Sequence, residues 1–200
     1  MFVISSYYTL NTPYVEAAHK YILPTVSALK LKSDIRGIYS LGSWQKNTLY
    51  KSTFVRETMD RHPDDNIVFI DCDAEVLKYP ELFDNVPSQY DIAAHILDRG
   101  RWYNKPFEDK ELLTGTLFVR NTARSREIVD KWIDRCYNSG IWEQRVLQMI
   151  LREMNISIFE LPIEYCYMST MPNGEEPFIK VKEPVIVHHQ LSRSLKKVVV

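Results

Sequence analysis

The stretch NIVFIDCDAEVL, residues 66–77, decides which fold this chain is expected to adopt. Its first part, NIVFI, is apolar on both faces, which is typical of a strand in the centre of a parallel sheet with helices on both sides. Two acids, Asp71 and Asp73, follow directly after that strand. Because ligands of open α/β sheets bind beyond the carboxyl ends of the strands, the sequence places both carboxylates at an expected ligand-binding edge.

The segments before this strand repeat a strand–helix pattern. FVISSYY indicates a first strand, and residues 14–29 have helical spacing of apolar residues, which Pro24 should kink or split. DIRGIYSL predicts a second strand, and TLYKSTFVRETMDR, residues 48–61, predicts a second helix. The order strand–helix–strand–helix–strand is the pattern of an α/β protein with a parallel sheet.

The segments after residue 77 are less regular. YPELF predicts a short helix, YDIAAHI a fourth strand, and residues 98–112 an irregular polar loop. TGTLFVRN predicts a further strand, followed by helices over residues 122–137 and 142–154 and by short strands in SIFELP and EPVIVHH. We expect one domain over residues 1–200, with a single mixed, mostly parallel sheet flanked by helices.

Length and composition bound the kind of protein. The 200 residues are 45% hydrophobic and 26% charged, as in ordinary globular proteins, and the formal net charge is −1. No overall field therefore favours nucleic acid or an anionic membrane. The three cysteines are odd in number and form no CxxC pair, so a disulfide framework is not expected. This favours a reducing compartment. Without a signal peptide or a run of about 20 apolar residues, we expect a cytoplasmic protein with no membrane span.

The two acids suit a metal ion. Residues two apart point to the same side if the strand continues. Mg²⁺ and Mn²⁺ typically bind through a few carboxylates together with substrate phosphates. The residues alone leave an alternative open, in which Asp71 and Asp73 are two solvated acids at the end of a strand.

In its context, the stretch resembles the nucleotide-sugar glycosyltransferases of the GT-A fold, whose signature is an apolar strand that ends in Asp-x-Asp. The resemblance continues, in order, through SWQKNTLYKSTFV before the motif and TGTLFVRNT, WEQRVLQMIL and VIVHHQLSR after it. It implies a Rossmann-like α/β fold and transfer of a sugar from a nucleotide diphosphate donor. UDP is the commonest donor nucleotide of the family, and retention of configuration is typical of the members with an Asp-Gln pair.

The resemblance also implies the metal site and its ion. Mn²⁺ or Mg²⁺ would be held by Asp71, Asp73 and a histidine after the last strand. Two adjacent histidines stand there, and we favour His188 over His189. Asp73 is expected to bind the metal directly, whereas Asp71 would act partly through the ribose or a water.

Further residues would bind the donor at its base, its phosphates and its sugar, according to the same resemblance. They are Tyr8, Thr9, Lys51, Asp71, Gly115, Thr116, Ser192 and Arg193, with Lys196 as a weaker candidate. Simpler interpretations stay open for some of them. Lys51 could be a solvated residue of a helix, and Gly115 could mark a strand entry where glycine allows a close approach.

Glu143, Gln144 and Asp91 are the expected catalytic residues, placed by the resemblance near the sugar or the reacting carbon. The first two stand where several such families have Asp-Gln, so the acid here is longer by one methylene. An acid at a helix N-terminus is also favourable for structure alone. In the polar loop, Trp102 and the tyrosine next to it could stack on an acceptor sugar or cover the site.

Three other functions compete with a glycosyltransferase. Phosphatases of the haloacid dehalogenase type also carry Asp-x-Asp, but they have Gly-Thr or Gly-Val after the second acid, where this chain has Ala74-Glu75. A nucleotidyltransferase would have a Gly-rich phosphate loop after the first strand, and SSYYTLNTP contains no glycine. A catalytically inactive module that binds sugar nucleotides is the third. We expect an active transferase with a glycan, protein or small-molecule acceptor.

Overall fold

A computed structural model describes residues 1–104, 106, 109–170 and 176–195 of the chain. Its strands are β1 Phe2–Thr9, β2 Ser33–Ile38, β3 Asn66–Ile70, β4 Ala74–Val76, β5 Ile92–Asp98, β6 Lys110–Val119, β7 Ile158–Glu160, β8 Tyr167–Met168 and β9 Ile186–His188. Its helices are α1 Tyr14–Lys20, α2 Ile22–Ala28, α3 Trp44–Arg61, α4 Arg99–Tyr103, α5 Ala123–Ser139, α6 Glu143–Glu153 and α7 Ser192–Leu195. Short 3₁₀ helices span Glu81–Phe83 and Ile163–Tyr165.

The central sheet has six strands in the order β2-β1-β3-β6-β5-β7. Parallel pairs join β1 to β2, β1 to β3 and β5 to β7, whereas β6 is antiparallel to both of its neighbours. Five strands therefore run in one direction and β6 alone runs in the other. The predicted mixed, mostly parallel sheet flanked by helices is confirmed.

A second sheet of three short strands, in the order β4-β9-β8, lies beside the first and was not predicted. One of its strands, β9, lies in the predicted strand EPVIVHH. The other two, β4 and β8, have three and two residues and are too short to show a repeating pattern of apolar residues. The antiparallel pairing of β4 with β9 places Ala74 opposite His188. This small sheet thus brings the end of the chain to the Asp-x-Asp motif.

Two hydrophobic clusters cover the two faces of the central sheet. In β3, Ile67 and Phe69 belong to the cluster under α3, α5 and α6, and Val68 and Ile70 belong to the cluster under α1 and α2. This alternation is the one expected for a strand that is buried on both faces. Within the described ranges, no helix is long and apolar enough to cross a membrane.

The first helical segment is divided at Tyr21, three residues before Pro24. Pro24 lies in the first turn of α2, where the amide hydrogen that proline lacks would have no partner inside the helix. The second expected helix begins earlier than predicted. Ser43 caps α3, and its hydroxyl accepts a hydrogen bond from the backbone N–H of Lys46.

The expected loop at residues 98–112 is partly regular. Asp98 caps α4 by accepting the backbone N–H of Arg101, and β6 begins at Lys110. Trp102 is fully buried in a third cluster with Leu97 and Met168. The expectation that Trp102 stacks on an acceptor is therefore wrong, because its ring has no accessible face. Residues 105, 107 and 108 of this segment lie outside the described residues.

Candidate active site

A cavity of about 390 Å³ opens where β1, β3 and β5 end. Its walls also include residues of α3, of β6 and of the start of α6. The volume is in the range of pockets that hold small-molecule ligands. Because β1, β3 and β5 are parallel, their carboxyl ends meet at one edge of the sheet, as expected for a ligand site of an α/β fold.

Asp71, Asp73 and His188, here called the acid–histidine cluster, meet in this cavity. One potential ligand atom from each lies within 4.8 Å of the others. The two acids follow β3, and the pairing of β4 with β9 brings the histidine to them. Two carboxylates and one imidazole at this spacing can hold a single divalent cation.

The structure distinguishes the two adjacent histidines. Since neighbouring residues of a strand point to opposite faces, only one of them can face the acids. His188 does so, whereas the ring of His189 stacks on Tyr21 with 4.0 Å between centroids. The Nε2 atom of His189 lies 3.0 Å from Glu75 Oε2. His188 is therefore the histidine of the cluster.

Among the described residues, one side chain forms a hydrogen bond with the His188 ring. Its Nε2 atom is 2.8 Å from the hydroxyl of Thr116, and its buried Nδ1 atom has no hydrogen-bond partner in the described parts of the chain. Burial lowers the pKa of His188 to about 4, so the imidazole is neutral at neutral pH. A neutral ring whose Nε2 donates to Thr116 presents a lone pair on Nδ1, as a metal ligand requires.

Thr116 was expected at the donor sugar, and the structure places it elsewhere. Its side chain is fully buried behind His188 and does not line the cavity. Gly115, the residue before it, does line the cavity. A Cβ atom at Gly115 would lie 3.0 Å from His188 Cε1 and 3.2 Å from Asp71 Oδ2. Glycine at this position therefore allows the strand to approach the cluster closely.

Asp73 is fixed from the segment that follows β9. Its Oδ2 atom accepts the backbone N–H of Leu191 at 2.7 Å, and its carbonyl accepts the N–H of His189 at 3.1 Å. Burial and then the charge of Asp71 raise the pKa of Asp73 to about 6. A bound cation would relieve both effects, because positive charge stabilises the ionised form.

Lys51 reaches the cavity as expected, but its charge is already paired. Its buried Nζ atom lies 3.0 Å from Asp71 Oδ1 and 3.2 Å from Glu143 Oε1. Burial alone would lower the pKa of Lys51, but the charges of these two acids outweigh it and raise the pKa above its ordinary value. Lys51 thus joins the acid–histidine cluster to the expected catalytic acid.

Glu143 is buried at the start of α6, and its two oxygens differ. Oε1 accepts from Lys51 and from the hydroxyl of Thr114 at 3.0 Å, whereas Oε2 has no hydrogen-bond partner among the described residues. Burial raises the pKa of the Glu143 carboxyl, and Lys51 opposes the shift. An unpaired buried oxygen is costly for folding, which favours a ligand as its partner.

The side chain of Gln144 forms hydrogen bonds to other residues of the protein through both its oxygen and its nitrogen. Its Oε1 accepts the backbone N–H of Thr114 at 3.1 Å, and its Nε2 donates to Glu111 Oε1 at 2.7 Å. Gln144 therefore fixes the start of α6 against β6. Glu111 lines the cavity as well, although the sequence did not single it out.

The remaining expected donor-binding residues lie along the same cavity. Tyr8 and Thr9 line it at the end of β1, and Ser192 and Arg193 line it at the start of α7. Arg193 is half-buried and donates to the carbonyl of Thr170 at 2.6 Å. No described carboxylate lies within ion-pair distance of its guanidinium. Lys196 lies outside the described residues.

Asp91 does not belong to this site. It precedes β5 at the opposite edge of the sheet from the cavity. Its Oδ1 atom accepts hydrogen bonds from the hydroxyls of Thr122 at 2.9 Å and Ser125 at 3.2 Å. Asp91 thus stabilises the start of α5, and the expectation that it is a catalytic residue is wrong.

Two tryptophans that line the cavity were missed as site residues, Trp44 and Trp142. The available signal was position, because Trp142 directly precedes Glu143 and Trp44 lies seven residues, about two helical turns, before Lys51. Tyr14 lies beside them, and its hydroxyl accepts the indole N–H of Trp44 at 3.2 Å.

Comparisons with known proteins give a match to one protein family and similarities to several solved structures. Residues 43–198 match a protein family described as nucleotide-diphospho-sugar transferase. No curated protein matches the sequence. The fold is similar to that of a glycosyltransferase involved in the glycosylation of the major capsid of PBCV-1, with a TM-score of 0.67 and 14% identity, over 98% of this chain and 95% of that one.

Two larger proteins contain a similar fold. One is the bifunctional glycosyltransferase WbbM, with a TM-score of 0.62 and 12% identity, over 94% of this chain and 45% of that one. The other is the glycosyltransferase GlyE of Streptococcus pneumoniae TIGR4, with a TM-score of 0.55 and 15% identity, over 94% of this chain and 54% of that one. The predicted GT-A fold is confirmed by these similarities.

Proposed function

The chain belongs to the nucleotide-diphospho-sugar transferase family, and on that premise we propose a metal-dependent glycosyltransferase that uses a UDP-sugar donor. The proposed reaction breaks the bond between the sugar and the diphosphate and releases the nucleoside diphosphate. A hydroxyl oxygen of the acceptor forms the new bond to the sugar, and its proton is released with the diphosphate. The choice of UDP follows the family resemblance. The family match favours this function over the phosphatase that the Asp-x-Asp motif left open.

The acid–histidine cluster is the observation that supports metal dependence. Asp71, Asp73 and His188 offer two carboxylates and a neutral imidazole within 4.8 Å. The unpartnered Nδ1 of His188 and the close approach of Gly115 both suit an ion between these side chains. A nitrogen ligand favours Mn²⁺ over Mg²⁺, because Mg²⁺ prefers oxygen ligands. When bound, the cation would neutralise charge on the diphosphate leaving group.

Protein side chains supply the rest of the donor site in this proposal. Arg193 adds positive charge for the diphosphate, because a guanidinium matches phosphate oxygens with two parallel hydrogen bonds. Tyr8 and Thr9 would contact the base at the end of β1. Lys51 neutralises Asp71 and Glu143 rather than contacting phosphate.

We infer that Glu143, which lines the cavity, is the acid beside the transferred sugar, with retention of configuration as the proposed outcome. A carboxylate beside the reacting carbon can act as a nucleophile in a double displacement, which retains the configuration. Lys51 favours the ionised form of this buried carboxyl, which a nucleophile requires, because its positive charge lies 3.2 Å from Oε1.

The test is nucleotide binding with and without metal. We expect UDP-sugars, tested beside GDP- and CDP-sugars, to raise the melting temperature only when Mn²⁺ is present. A ligand at a hundred times its Kd stabilises a protein by about 2.7 kcal/mol, which a melting experiment resolves. Asp73→Asn should abolish the shift because it removes one charged ligand of the proposed site.

Asp64→Asn is the matched control, since Asp64 is an exposed acid outside the cavity. This variant should bind like the wild-type protein. Hydrolysis of phosphomonoesters in place of sugar nucleotides would contradict the proposal. Binding of sugar nucleotides without turnover would indicate the inactive module instead.

A further inference from the structure

Two tryptophan rings meet at the mouth of the cavity and have no part in the proposed donor chemistry. The rings of Trp44 and Trp142 are 6.3 Å apart between centroids and inclined by 65°, an edge-to-face contact. The side chain of Trp142 is 49% exposed. A large aromatic surface left in water is unfavourable, and when it borders a concave site it commonly marks a place where a ligand binds.

Contacts on both sides hold the two rings. The indole N–H of Trp44 donates to the hydroxyl of Tyr14 at 3.2 Å. The side-chain amide of Gln45 donates to the carbonyl of Gly140 at 3.2 Å, which ties the start of α3 to the turn before α6. Trp142 stands immediately before α6. The segments that carry the two rings are therefore tied to each other before any ligand arrives, which reduces the entropy cost of binding.

Two carboxylates line the same cavity as the exposed indole. Trp142 precedes Glu143, whose Oε2 has no partner among the described residues. Glu111 also lines the cavity and is held by the amide of Gln144. A flat apolar face beside hydrogen-bond acceptors complements a sugar ring, because the ring has C–H groups on its face and hydroxyls at its edge. An alkyl chain would instead remove the carboxylates from water without giving them a partner.

We propose that Trp142, supported by Trp44, is the stacking surface for a saccharide acceptor, whose hydroxyls Glu111 receives. The acceptor is then a carbohydrate. This inference rests on the proposed function, since it assumes that the donor occupies the end of the cavity at the acid–histidine cluster. The negative face of the indole attracts the polarised C–H groups of the acceptor ring.

Kinetics with defined acceptors test this. The full chain is assayed with Mn²⁺, with the sugar nucleotide that the wild type hydrolyses, and with methyl glucosides, galactosides and mannosides as acceptors. Trp142→Ala should lower kcat/KM for the best saccharide by about tenfold, the effect of losing one stacked ring. Trp142→Phe should lose less. The rise in acceptor KM should exceed any change in donor KM.

Met149→Ala is the matched control, because Met149 is a 40% exposed residue of α6 that does not line the cavity. Binding is also measured without donor. The same methyl glycosides should quench the tryptophan fluorescence of the wild type and of Met149→Ala, and not that of Trp142→Ala. This readout does not depend on turnover, so it separates a failure of the acceptor site from a failure of the proposed transferase.

Three results would overturn the inference. The first is equal quenching and equal saccharide kinetics in the wild type and Trp142→Ala. The second is a Trp142→Ala variant whose main defect is a raised donor KM, which would place the nucleotide base on this ring. The third is transfer to serine peptides or lipid hydroxyls with no transfer to saccharides. Loss of metal-dependent donor binding in the wild type would instead reject the proposed function.

Discussion

Single residues behind the acid–histidine cluster decide whether its ligand atoms can converge. A Cβ at position 115 would crowd His188 and Asp71, so glycine lets them approach closely. Thr116 holds the far side of the same ring. Mutation of a residue that holds a metal ligand from behind typically lowers metal affinity by about 10- to 100-fold. We therefore count Thr116 as a positioning residue, although it does not reach the cavity.

The variant Thr116→Val tests whether the hydroxyl of Thr116 positions His188. Valine keeps the shape of threonine but lacks the hydroxyl that hydrogen-bonds to His188 Nε2, so the ring loses the side-chain contact that orients it. We expect the affinity for Mn²⁺ to fall by between about tenfold and hundredfold. Titration calorimetry with Mn²⁺ measures this directly. Thr116→Ser should retain most of the affinity, and unchanged binding by Thr116→Val would show that the hydroxyl is dispensable.

Lys51 shows why a residue's position does not settle its role. The sequence places a lysine near the expected phosphate site, and the structure does bring it to the cavity. Its charge is nevertheless balanced there by Asp71 and Glu143, both within ion-pair distance. That pairing depends on an acid 92 positions away in the sequence, which local pattern alone does not reveal.

Three elements of the fold meet at this lysine. Lys51 belongs to α3, Asp71 follows β3, and Glu143 begins α6. The ion pairs therefore tie two helices to the central sheet. An uncompensated buried charge strongly destabilises a fold, whereas a complete network is roughly neutral.

Lys51→Met should lower the free energy of unfolding by about 3–5 kcal/mol, because it leaves Glu143 buried without its counter-charge. Urea denaturation measures the loss. The double variant Lys51→Met, Glu143→Gln should recover part of this loss, since the buried charge of Glu143 is then removed, although the charge of Asp71 stays. Lys46→Met, at an exposed lysine of the same helix, is the control. An unchanged urea midpoint in Lys51→Met would show that the ion pairs of Lys51 do not contribute to the free energy of unfolding.

At the level of secondary structure, the small sheet β4-β9-β8 brings the residues of the acid–histidine cluster together. Strands β4 and β9 are three residues each, yet their register puts His188 across from Ala74, beside the two acids. More than a hundred residues separate these strands in the sequence. The cavity is thus closed only when the C-terminal part of the chain has docked.

The molecule as a whole is organised around one shared sheet. Both large hydrophobic clusters contain residues of β1, β3 and β6, so neither can form without the same central strands. This supports the expectation of one domain over residues 1–200, which stays a prediction.

A single cooperative transition is the expected unfolding behaviour. Urea curves followed by far-UV circular dichroism and by tryptophan fluorescence should coincide, because a shared sheet couples the two clusters. The fluorescence probes are well distributed, since Trp132 lies in the cluster under α3, α5 and α6 and Trp102 in the third cluster. Two separate transitions would contradict a single domain.

The sequence by itself determined the alternation of strands and helices, the buried strand at residues 66–70 and the two acids that follow it. Those features depend on local periodicity, and periodicity survives in a one-dimensional pattern. Residues of the cavity wall that carry a recognisable local motif, such as Glu143 and Gly115, were also predicted.

Only the tertiary structure decided which histidine joins the acids, that Asp91 supports a helix instead, that Trp102 is buried, and that Trp142 stands exposed at the cavity mouth. Each of these facts depends on the pairing or packing of segments far apart in the sequence. The face to which a side chain points is set by strand register and by its neighbours in space, and one residue of shift reverses it. For that reason the sequence predicted the fold and the candidate metal ligands, whereas the structure was needed to locate the proposed acceptor surface.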